Sequence, residues 1–318
     1  MAANNSIDSD SESCFDSDSE NCLDSGSKLC SNSDSKHKRY FDYVSVDFIE
    51  DICSKAAAEL APEDFFLFTE HVNLFFKKFG ITDVILFKRN GKSDSGYSQV
   101  CKSLFESEQS VRYYKGVEIE AENENTLYSA VRKERPNVNF IAVRSADEKV
   151  IRAAAESLDV DLVIPVSYSA GKIYNGIMSN MYVNVGQINH IVAKIAKDKK
   201  TAFGFDIYPF LQTKGYRRSK ILADSMDMIP ILQKYKVPVL LFSGAGSFYD
   251  ARGPYECEAF GSFLGLNREE AAAAVSAHPS QMIELRKKRQ SGKLVMTGVE
   301  IVENDENNEN EENDKNDE

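Results

Sequence analysis

Three carboxylates occupy positions at which an α/β enzyme carries acid–base or metal chemistry. Glu118 and Glu120 are two residues apart in the predicted strand KGVEIEA (residues 115–121), so their side chains point to the same face. Asp206 lies late in another predicted strand, TAFGFDI (residues 201–207). Such a set could supply a general acid and base, or ligands for Mg²⁺. Carboxylates inside a barrel also pair with inward-pointing arginines, and we favour this structural role because the sequence indicates no substrate pocket.

The four histidines are too scattered to form the imidazole cluster of a metal-dependent hydrolase. His37 precedes the first predicted strand, His71 and His190 lie in predicted helices, and His278 precedes a proline. None of them ends a predicted strand. The sequence also lacks a G-x-S-x-G elbow, an H-E-x-x-H motif and a Walker loop, so we expect no metal site and no bound cofactor.

Basic side chains cluster after three of the predicted strands. KGYRRSK (residues 214–220) contains four cations in seven residues, Arg144 ends the strand VNFIAVR, and Arg252 follows the glycine-rich turn SGAGS (residues 243–247). The backbone N–H groups of such a turn can form a phosphate nest, and arginine forks bind phosphate through two hydrogen bonds. Any one cluster is typical of a solvated surface, but several on one rim of a barrel favour a polyanion such as RNA.

Alternating strands and helices predict an α/β fold. Continuous apolar runs indicate strands buried on both faces, hence a parallel sheet under helices, and they span residues 40–46, 81–87, 115–121, 138–144, 161–166, 201–207 and 237–243. Seven βα units in about 265 residues are typical of a TIM-like barrel. An open, doubly wound sheet is the alternative, but no G-x-G-x-x-G follows an early strand.

Apolar spacing predicts helices over residues 47–60, 62–79, 124–132, 147–158 and 187–200. In the last of these, Ile191 belongs to an apolar stripe, so His190 and Lys197 should be exposed on the opposite side. After the final strand, Pro254 fits the first turn of a helix and Asn267 caps the next. A third helix starts near residue 279 and ends in RKKRQSGK.

The net charge of −12 over 318 residues argues against a protein that coats nucleic acid nonspecifically. That charge is unevenly distributed, since residues 1–37 carry −6 and residues 303–318 carry −8, leaving +2 on residues 38–302. Both end segments have little apolar surface to offset the entropy of ordering, so we expect two disordered acidic tails around one folded domain, 38–302.

An eight-residue repeat in the N-terminal tail spaces Cys14, Cys22 and Cys30 evenly. A soft-metal or redox site is one interpretation, but this spacing fits no compact zinc loop, and we favour expansion of a low-complexity repeat. No apolar run of about 18 residues and no secretory signal are present. The six cysteines therefore indicate reduced thiols in a cytoplasmic protein that does not enter a membrane.

Five segments resemble a known family when read in order and with their gaps: KGVEIEAEN, NFIAVRS, INHIVAKIAK, KGYRRSKIL and LLFSGAGSFYDARGPYECEAFGSFLGL. They are similar to ribonuclease P protein component 3 of archaea, the relative of the eukaryotic thirty-kilodalton subunit of RNase P and RNase MRP. The last segment is the most specific, because it joins a strand, a small-residue turn, Asp-x-Arg-x-Pro and an Ala/Gly-rich helix. The resemblance covers about residues 40–290.

The resemblance implies a distorted TIM-like (β/α) barrel related to the polymerase-and-histidinol-phosphatase (PHP) superfamily, without that superfamily's metal ligands. It implies a noncatalytic subunit of ribonuclease P, which removes the 5′ leader from precursor tRNA by hydrolysis. In that family the catalytic centre is RNA with bound Mg²⁺. The protein binds the catalytic half of this RNA with the small component 2 protein and other protein subunits.

The resemblance also implies RNA contacts at the positions that match the family's motifs: Arg144, His190, Arg217, Arg218 and Arg252, with Lys194 and Lys220 as weaker candidates. Alternatively, Arg252 pairs with Asp250 or Glu256 and serves the fold. Pro230 interrupts a segment in which the family has an unbroken helix, which predicts a kink or an early helix end.

Three functions remain open at this point. The leading hypothesis is the RNA-binding subunit of ribonuclease P. The alternative is a stand-alone metal-dependent barrel phosphoesterase that uses Glu118, Glu120 and Asp206. A third is a protein–protein scaffold, in which Arg217 and Arg218 would not affect RNA binding.

Deleting residues 1–37 and 303–318 should raise the affinity for RNA of unrelated sequence, because these tails carry the negative charge that repels phosphates. The affinities of the full chain and of 38–302 are compared by filter binding at low salt, where charges are least screened. The difference should disappear at high salt. Equal affinities at low salt would contradict a role of the tails in limiting misplaced RNA binding.

Overall fold

The structure of this protein is a computed structural model that describes residues 39–49, 65–89, 99–106, 110–166, 188–291, 294–296 and 299–300. The predicted acidic tails, the repeat with Cys14, Cys22 and Cys30, and most of the predicted helix 47–60 lie outside the described residues. Within the described ranges, no helix is both long and apolar enough to span a bilayer.

Seven parallel strands form one sheet whose spatial order follows the chain: β1 (Tyr40–Ser45), β2 (Ile81–Arg89), β3 (Arg112–Glu120), β4 (Phe140–Ser145), β5 (Leu162–Pro165), β6 (Ala202–Asp206) and β7 (Val239–Phe242). Each strand falls on one of the seven predicted apolar runs. A sequential, all-parallel order with intervening helices is that of a TIM-like barrel, so this prediction is confirmed. A short antiparallel pair, β8 (Leu294–Met296) and β9 (Val299–Glu300), follows the barrel.

Besides a helical segment at residues 46–49, ten α-helices are described around this sheet: α1 (Phe65–Lys78), α2 (Gln99–Glu106), α3 (Glu124–Glu134), α4 (Glu148–Glu156), α5 (His190–Lys199), α6 (Tyr208–Gln212), α7 (Tyr216–Tyr235), α8 (Pro254–Leu264), α9 (Arg268–Val275) and α10 (Ala277–Gln290). As predicted, α8 begins at Pro254, and Asn267 caps α9 in a capping box with Glu270.

Of the two alternatives predicted at Pro230, the early helix end is wrong, and so is the place of Ile191 in the buried stripe. Helix α7 continues to Tyr235 and does not end early at Pro230. Pro230 is exposed, and the carbonyl that loses its hydrogen bond belongs to Met226, whose side chain is 42% exposed, so water can satisfy it. Ile191 is also 44% exposed and does not belong to the buried face of α5, which consists of Val192, Ala193 and Ala196.

The turn after β7 closes the barrel against β1. Gly244 N donates to Tyr43 O (3.1 Å), and Ser45 N donates to Ala245 O (2.9 Å). The buried carboxylate of Asp42 accepts hydrogen bonds from the backbone N and the Oγ of Ser243, both at 2.8 Å. The turn was predicted as a phosphate nest, but its N–H groups at 243 and 244 bond to β1. Closure of the barrel therefore takes two donors of the predicted nest.

The barrel interior is a packed core. The rings of Tyr43 and Phe87 stack with centroids 4.2 Å apart, and Phe242 lies 4.9 Å from Tyr43. Gly204 makes room for Phe242, since a Cβ there would lie 2.7 Å from its ring. At the end where the strands start, Met282 and Ile283 of α10 join the same buried cluster. Side chains therefore fill the space in which a larger barrel would hold a ligand.

The seam between β7 and β1, at which Asp42 meets Ser243, should make the free energy of unfolding depend on pH. Burial raises the pKa of Asp42 from 3.8 to about 6, because desolvation outweighs the hydrogen bonds from Ser243 and Tyr43. Between these values the folded carboxyl is protonated and the unfolded one is ionised, so wild-type stability falls as the pH rises through this window. Asp42→Asn removes this loss. Its unfolding free energy relative to wild type should rise by up to ~3 kcal/mol from pH ~4 to pH ~7.

Urea unfolding at several pH values measures this difference. A constant offset between the two proteins across the window would contradict a raised pKa at Asp42. As a second arm, Ser243→Ala should destabilise the barrel by about 1–3 kcal/mol, because it leaves a buried carboxylate oxygen without its donor.

Candidate nucleic-acid interface

A buried ion cluster fills the barrel at the end where the strands finish. Arg144, only 6% exposed, donates from Nε to Glu118 Oε1 (2.9 Å) and from Nη2 to Glu118 Oε2 (3.0 Å). The same Nη2 donates to Asp206 Oδ2 at 2.9 Å. Arg89 at the end of β2 adds a contact from Nε to Glu118 Oε1 at 3.3 Å. Two carboxylates from β3 and β6 are thereby matched by two guanidinium groups.

This geometry assigns Glu118 and Asp206 a structural role. Their oxygens accept from Arg144 where a metal or a substrate would have to bind, and Glu120, which should have joined them, is exposed at the end of β3. Burial and the nearby charge of Glu118 hold the pKa of the Tyr43 hydroxyl well above its usual range, as expected for a dry interior. Among the described residues, no group of three or more His, Cys, Asp or Glu could hold a metal ion.

Arg144 was predicted as an RNA contact, and the structure places it inside the barrel rather than on its rim. Its guanidinium is buried and spans two carboxylates, so an RNA phosphate could reach it only by displacing them. Its observed contacts support the fold.

The basic motif 214–220 begins two residues before α7 and continues into the start of that helix. Arg217 is exposed and forms no ion pair with any described residue. Arg218 donates from Nε to Thr213 O (2.7 Å) and lies over the Phe210 ring at 5.0 Å, which fixes its position near the helix start. Lys220 pairs with Asp224 at 2.6 Å, and this hydrogen bond raises the pKa of the lysine. Lys214 and Arg217 are therefore the most available cations of this motif.

Arg252 lies in the loop between β7 and α8. Its Nη1 donates to the carbonyls of Tyr249 (2.9 Å) and Ala251 (2.6 Å). It does not form the predicted pair with Asp250 or Glu256; Asp250 instead accepts from Gln212 Nε2 of α6 at 3.0 Å. That bond holds the loop beside the segment leading to Arg217, so both basic motifs share one part of the rim.

His190 is the first residue of α5 and is exposed, as predicted. The preceding Asn189 caps the helix by accepting from the N–H groups of Ile191 and Val192, and its Nδ2 donates to Glu148 at the start of α4. Lys194 follows one turn later, exposed, with Nζ 6.0 Å from the ring centroid of Tyr235. In a parallel βα fold these helix starts lie at the same end of the barrel as Arg217.

Two exposed tyrosines lie within the basic motifs, and the sequence analysis missed them. Tyr216 is 69% exposed at the start of α7, and Tyr249 is 74% exposed in the loop before Arg252. Aromatic faces beside arginine are typical of single-stranded RNA sites, where bases stack on the rings. The signal was present in KGYRRSK and SFYDARG, in which an aromatic stands within three residues of an arginine.

Comparison with known proteins identifies relatives of this arrangement. The family model of RNase P subunit p30 matches residues 74–291. "Ribonuclease P protein component 3" of Methanococcoides burtonii is 33% identical over 190 residues, which cover 60% of this chain and 72% of that protein. The protein of the same name from Methanosarcina mazei is 30% identical over 204 residues, covering 64% of this chain and 79% of that protein.

A solved structure shares the fold. A chain of the "cryo-EM structure of archaeal Ribonuclease P with mature tRNA" matches with a TM-score of 0.60 and 21% identity. The match covers 83% of this chain and 99% of that chain.

Replacing Arg144 should destabilise the barrel far more than replacing a rim cation. Arg144→Met leaves Glu118 buried opposite Asp206 with only Arg89 to compensate, which should cost about 3–5 kcal/mol of unfolding free energy. The exposed Arg217→Ala should change it by less than about 0.5 kcal/mol. Urea unfolding at neutral pH measures both. If Arg144→Met lost less than about 1 kcal/mol, the cluster would not be the compensated ion network described above.

Proposed function

The chain belongs to the RNase P subunit p30 family, and we propose that within ribonuclease P it binds the catalytic RNA through the barrel rim without carrying out the cleavage itself. Ribonuclease P is the ribonucleoprotein that removes the 5′ leader from precursor tRNA. The chain is one of its protein subunits. Its archaeal relatives carry the name ribonuclease P protein component 3.

The separation of charge at the rim supports this role. Glu118 and Asp206 inside the barrel are neutralised by Arg144, whereas His190, Lys194 and Arg217 are exposed and form no ion pair with any described residue. Exposed cations at helix starts attract phosphates, both by their own charge and through the helix dipoles. Tyr216 and Tyr249 add ring faces on which bases can stack.

The same geometry supports a noncatalytic chain. Glu118 and Asp206 would have to be released from Arg144 before they could bind a metal or transfer a proton. The cleavage chemistry therefore belongs to the RNA, which holds the Mg²⁺ ions, and the protein's cations reduce the repulsion between crowded phosphates. No observation favours the stand-alone phosphoesterase.

We also propose the partners, the domain bounds and the cellular compartment of this chain. Its partners are the RNase P RNA, the component 2 protein, the other protein subunits and, in the assembled enzyme, precursor tRNA. Residues 38–302 form the RNase P domain between the two acidic tails, and the protein acts in the cytoplasm.

Reconstitution tests the role directly. Purified chain alone should not cleave precursor tRNA, and adding it to RNase P RNA with component 2 should raise cleavage at low Mg²⁺, where phosphate repulsion is strongest. Arg217→Ala/Arg218→Ala should reduce that gain and flatten the plot of log affinity against log salt by about 1.4–1.8, since each lost phosphate contact removes about 0.7–0.9.

The matched control is Arg152→Ala/Arg268→Ala, which removes the same charge from exposed positions on α4 and α9. It should leave both activity and salt slope unchanged. Equal cleavage with and without the chain would refute the subunit role, and metal-dependent cleavage by the chain alone that is lost in Glu118→Ala would refute its noncatalytic character.

A further inference from the structure

A basic groove lies at the other end of the barrel, where the strands begin. Its volume is about 600 Å³, and it lies between α2, the start of β3, the segment before β4 and the last turns of α10. Four cations line it, namely Lys102, Lys115, Arg135 and Arg286, against a single lining acid, Glu106. None of these four was among the predicted RNA contacts.

The two arginines form the floor of this groove and are anchored from below. Arg135 Nη1 lies 3.1 Å from Asp161 Oδ2, and Arg286 Nη1 lies 3.6 Å from Asp161 Oδ1. One buried carboxylate thus serves two guanidinium groups. Arg286 is 5% exposed, and its Nε has no hydrogen-bond partner among the described residues. Arg135 also donates from Nη1 to Asp159 O (3.0 Å) and from Nη2 to Val138 O (2.7 Å) and Asn139 O (2.6 Å). The two arginines therefore fix the floor and give it positive charge, and the lysines supply the donors for a ligand.

The positions of the two lysines in the groove are not explained by attraction to the negative end of a helix dipole. Many lysines at this end of the barrel lie in the last turn of a helix, where the negative end of the dipole favours them, as Lys77 and Lys78 do in α1. Lys102 instead lies in the first half of α2, and Lys115 lies in β3. Lys115 Nζ is held 5.2 Å from the ring centroid of Phe105, which also lines the groove.

We propose that this groove binds a phosphodiester segment of the RNase P RNA. The inference rests on the proposed function and extends it to the end of the barrel opposite the rim. Lysine ammonium groups and a guanidinium floor suit phosphate oxygens. The rings of Phe105 and Tyr113 and the amides of Asn137 and Asn139 line the same groove. Cations interleaved with aromatic rings favour RNA over an acidic peptide as the occupant.

A consequence of this assignment is that the RNA contacts the barrel at both ends. The rim presents His190 and Arg217, and the groove presents Lys102 and Lys115. A rigid barrel between two contacts would fix the distance between two RNA segments, which is how a protein without catalytic groups can favour one RNA fold.

The test compares Lys102→Ala/Lys115→Ala in the full chain with the control Lys77→Ala/Lys78→Ala, which removes the same charge from the last turn of α1. The probe is an RNase P RNA transcript, titrated at several salt concentrations. Loss of two phosphate contacts should flatten the plot of log affinity against log salt by about 1.4 or more, and the control should leave it unchanged. Lys102→Arg/Lys115→Arg should restore the slope, because it keeps both charges.

The outcomes separate this inference from the proposed function. Suppose that wild type binds the transcript, that Arg217→Ala/Arg218→Ala weakens this binding, and that Lys102→Ala/Lys115→Ala behaves like the control. The groove inference is then wrong, and the proposed function stands. If wild type does not bind, the proposed function itself fails. If the groove variant binds RNA normally but no longer assembles with the other protein subunits, the groove takes an acidic protein segment and the RNA assignment is overturned.

Discussion

The compensation of charge inside the barrel is the constraint on which the rest of the structure depends. Arg144 is buried among apolar and aromatic side chains, and an uncompensated guanidinium there would cost several kcal/mol. Glu118 of β3 and Asp206 of β6 supply the compensation from the two sides of β4, at 2.9–3.0 Å. The carboxylates are thereby committed to the fold at the end of the barrel where (β/α) enzymes place their active sites. Binding must then use side chains outside the barrel mouth.

The same competition between fold and ligand governs the turn after β7. Its backbone N–H groups could have received a phosphate, but they close the seam between β7 and β1, with Asp42 as a further acceptor. Gly244 has a positive φ of 63°, and a Cβ there would lie 2.8 Å from that of Asp206, so the closure also presses the turn against the ion cluster. The seam and the cluster therefore stabilise one another, and they leave the rim loops and helix starts for binding.

Sequence reasoning found the seven strands because buried parallel strands are continuous apolar runs, which stand out between polar segments. Because of the same property, the sequence did not predict whether Arg144 points into the barrel or out of it. In a strand buried on both faces the alternation that separates inside from outside is absent, and FIAVRS contains apolar residues of both parities. Its role became clear only from its side-chain contacts, because the register sets Arg144 beside Glu120 of β3 whereas its guanidinium pairs with Glu118 and Asp206. The groove was hidden for a related reason, since Lys102, Lys115 and Arg286 are far apart in sequence and meet only through the packing of α10 beneath the strands.

The polarity of the βα unit explains how a chain of net charge −12 can bind RNA at two places. Every helix that follows a strand starts at the rim, where dipoles are positive, so an exposed cation such as Arg217 is reinforced there. At the opposite end the helices finish with negative dipoles, and the lysines of those last turns are largely occupied in balancing them. At that end, a cation that stands apart from a helix terminus is the more available to a phosphate. Lys102 and Lys115 satisfy this condition, which is why the position of a basic residue within its element, rather than the total charge, decides where this barrel can contact RNA.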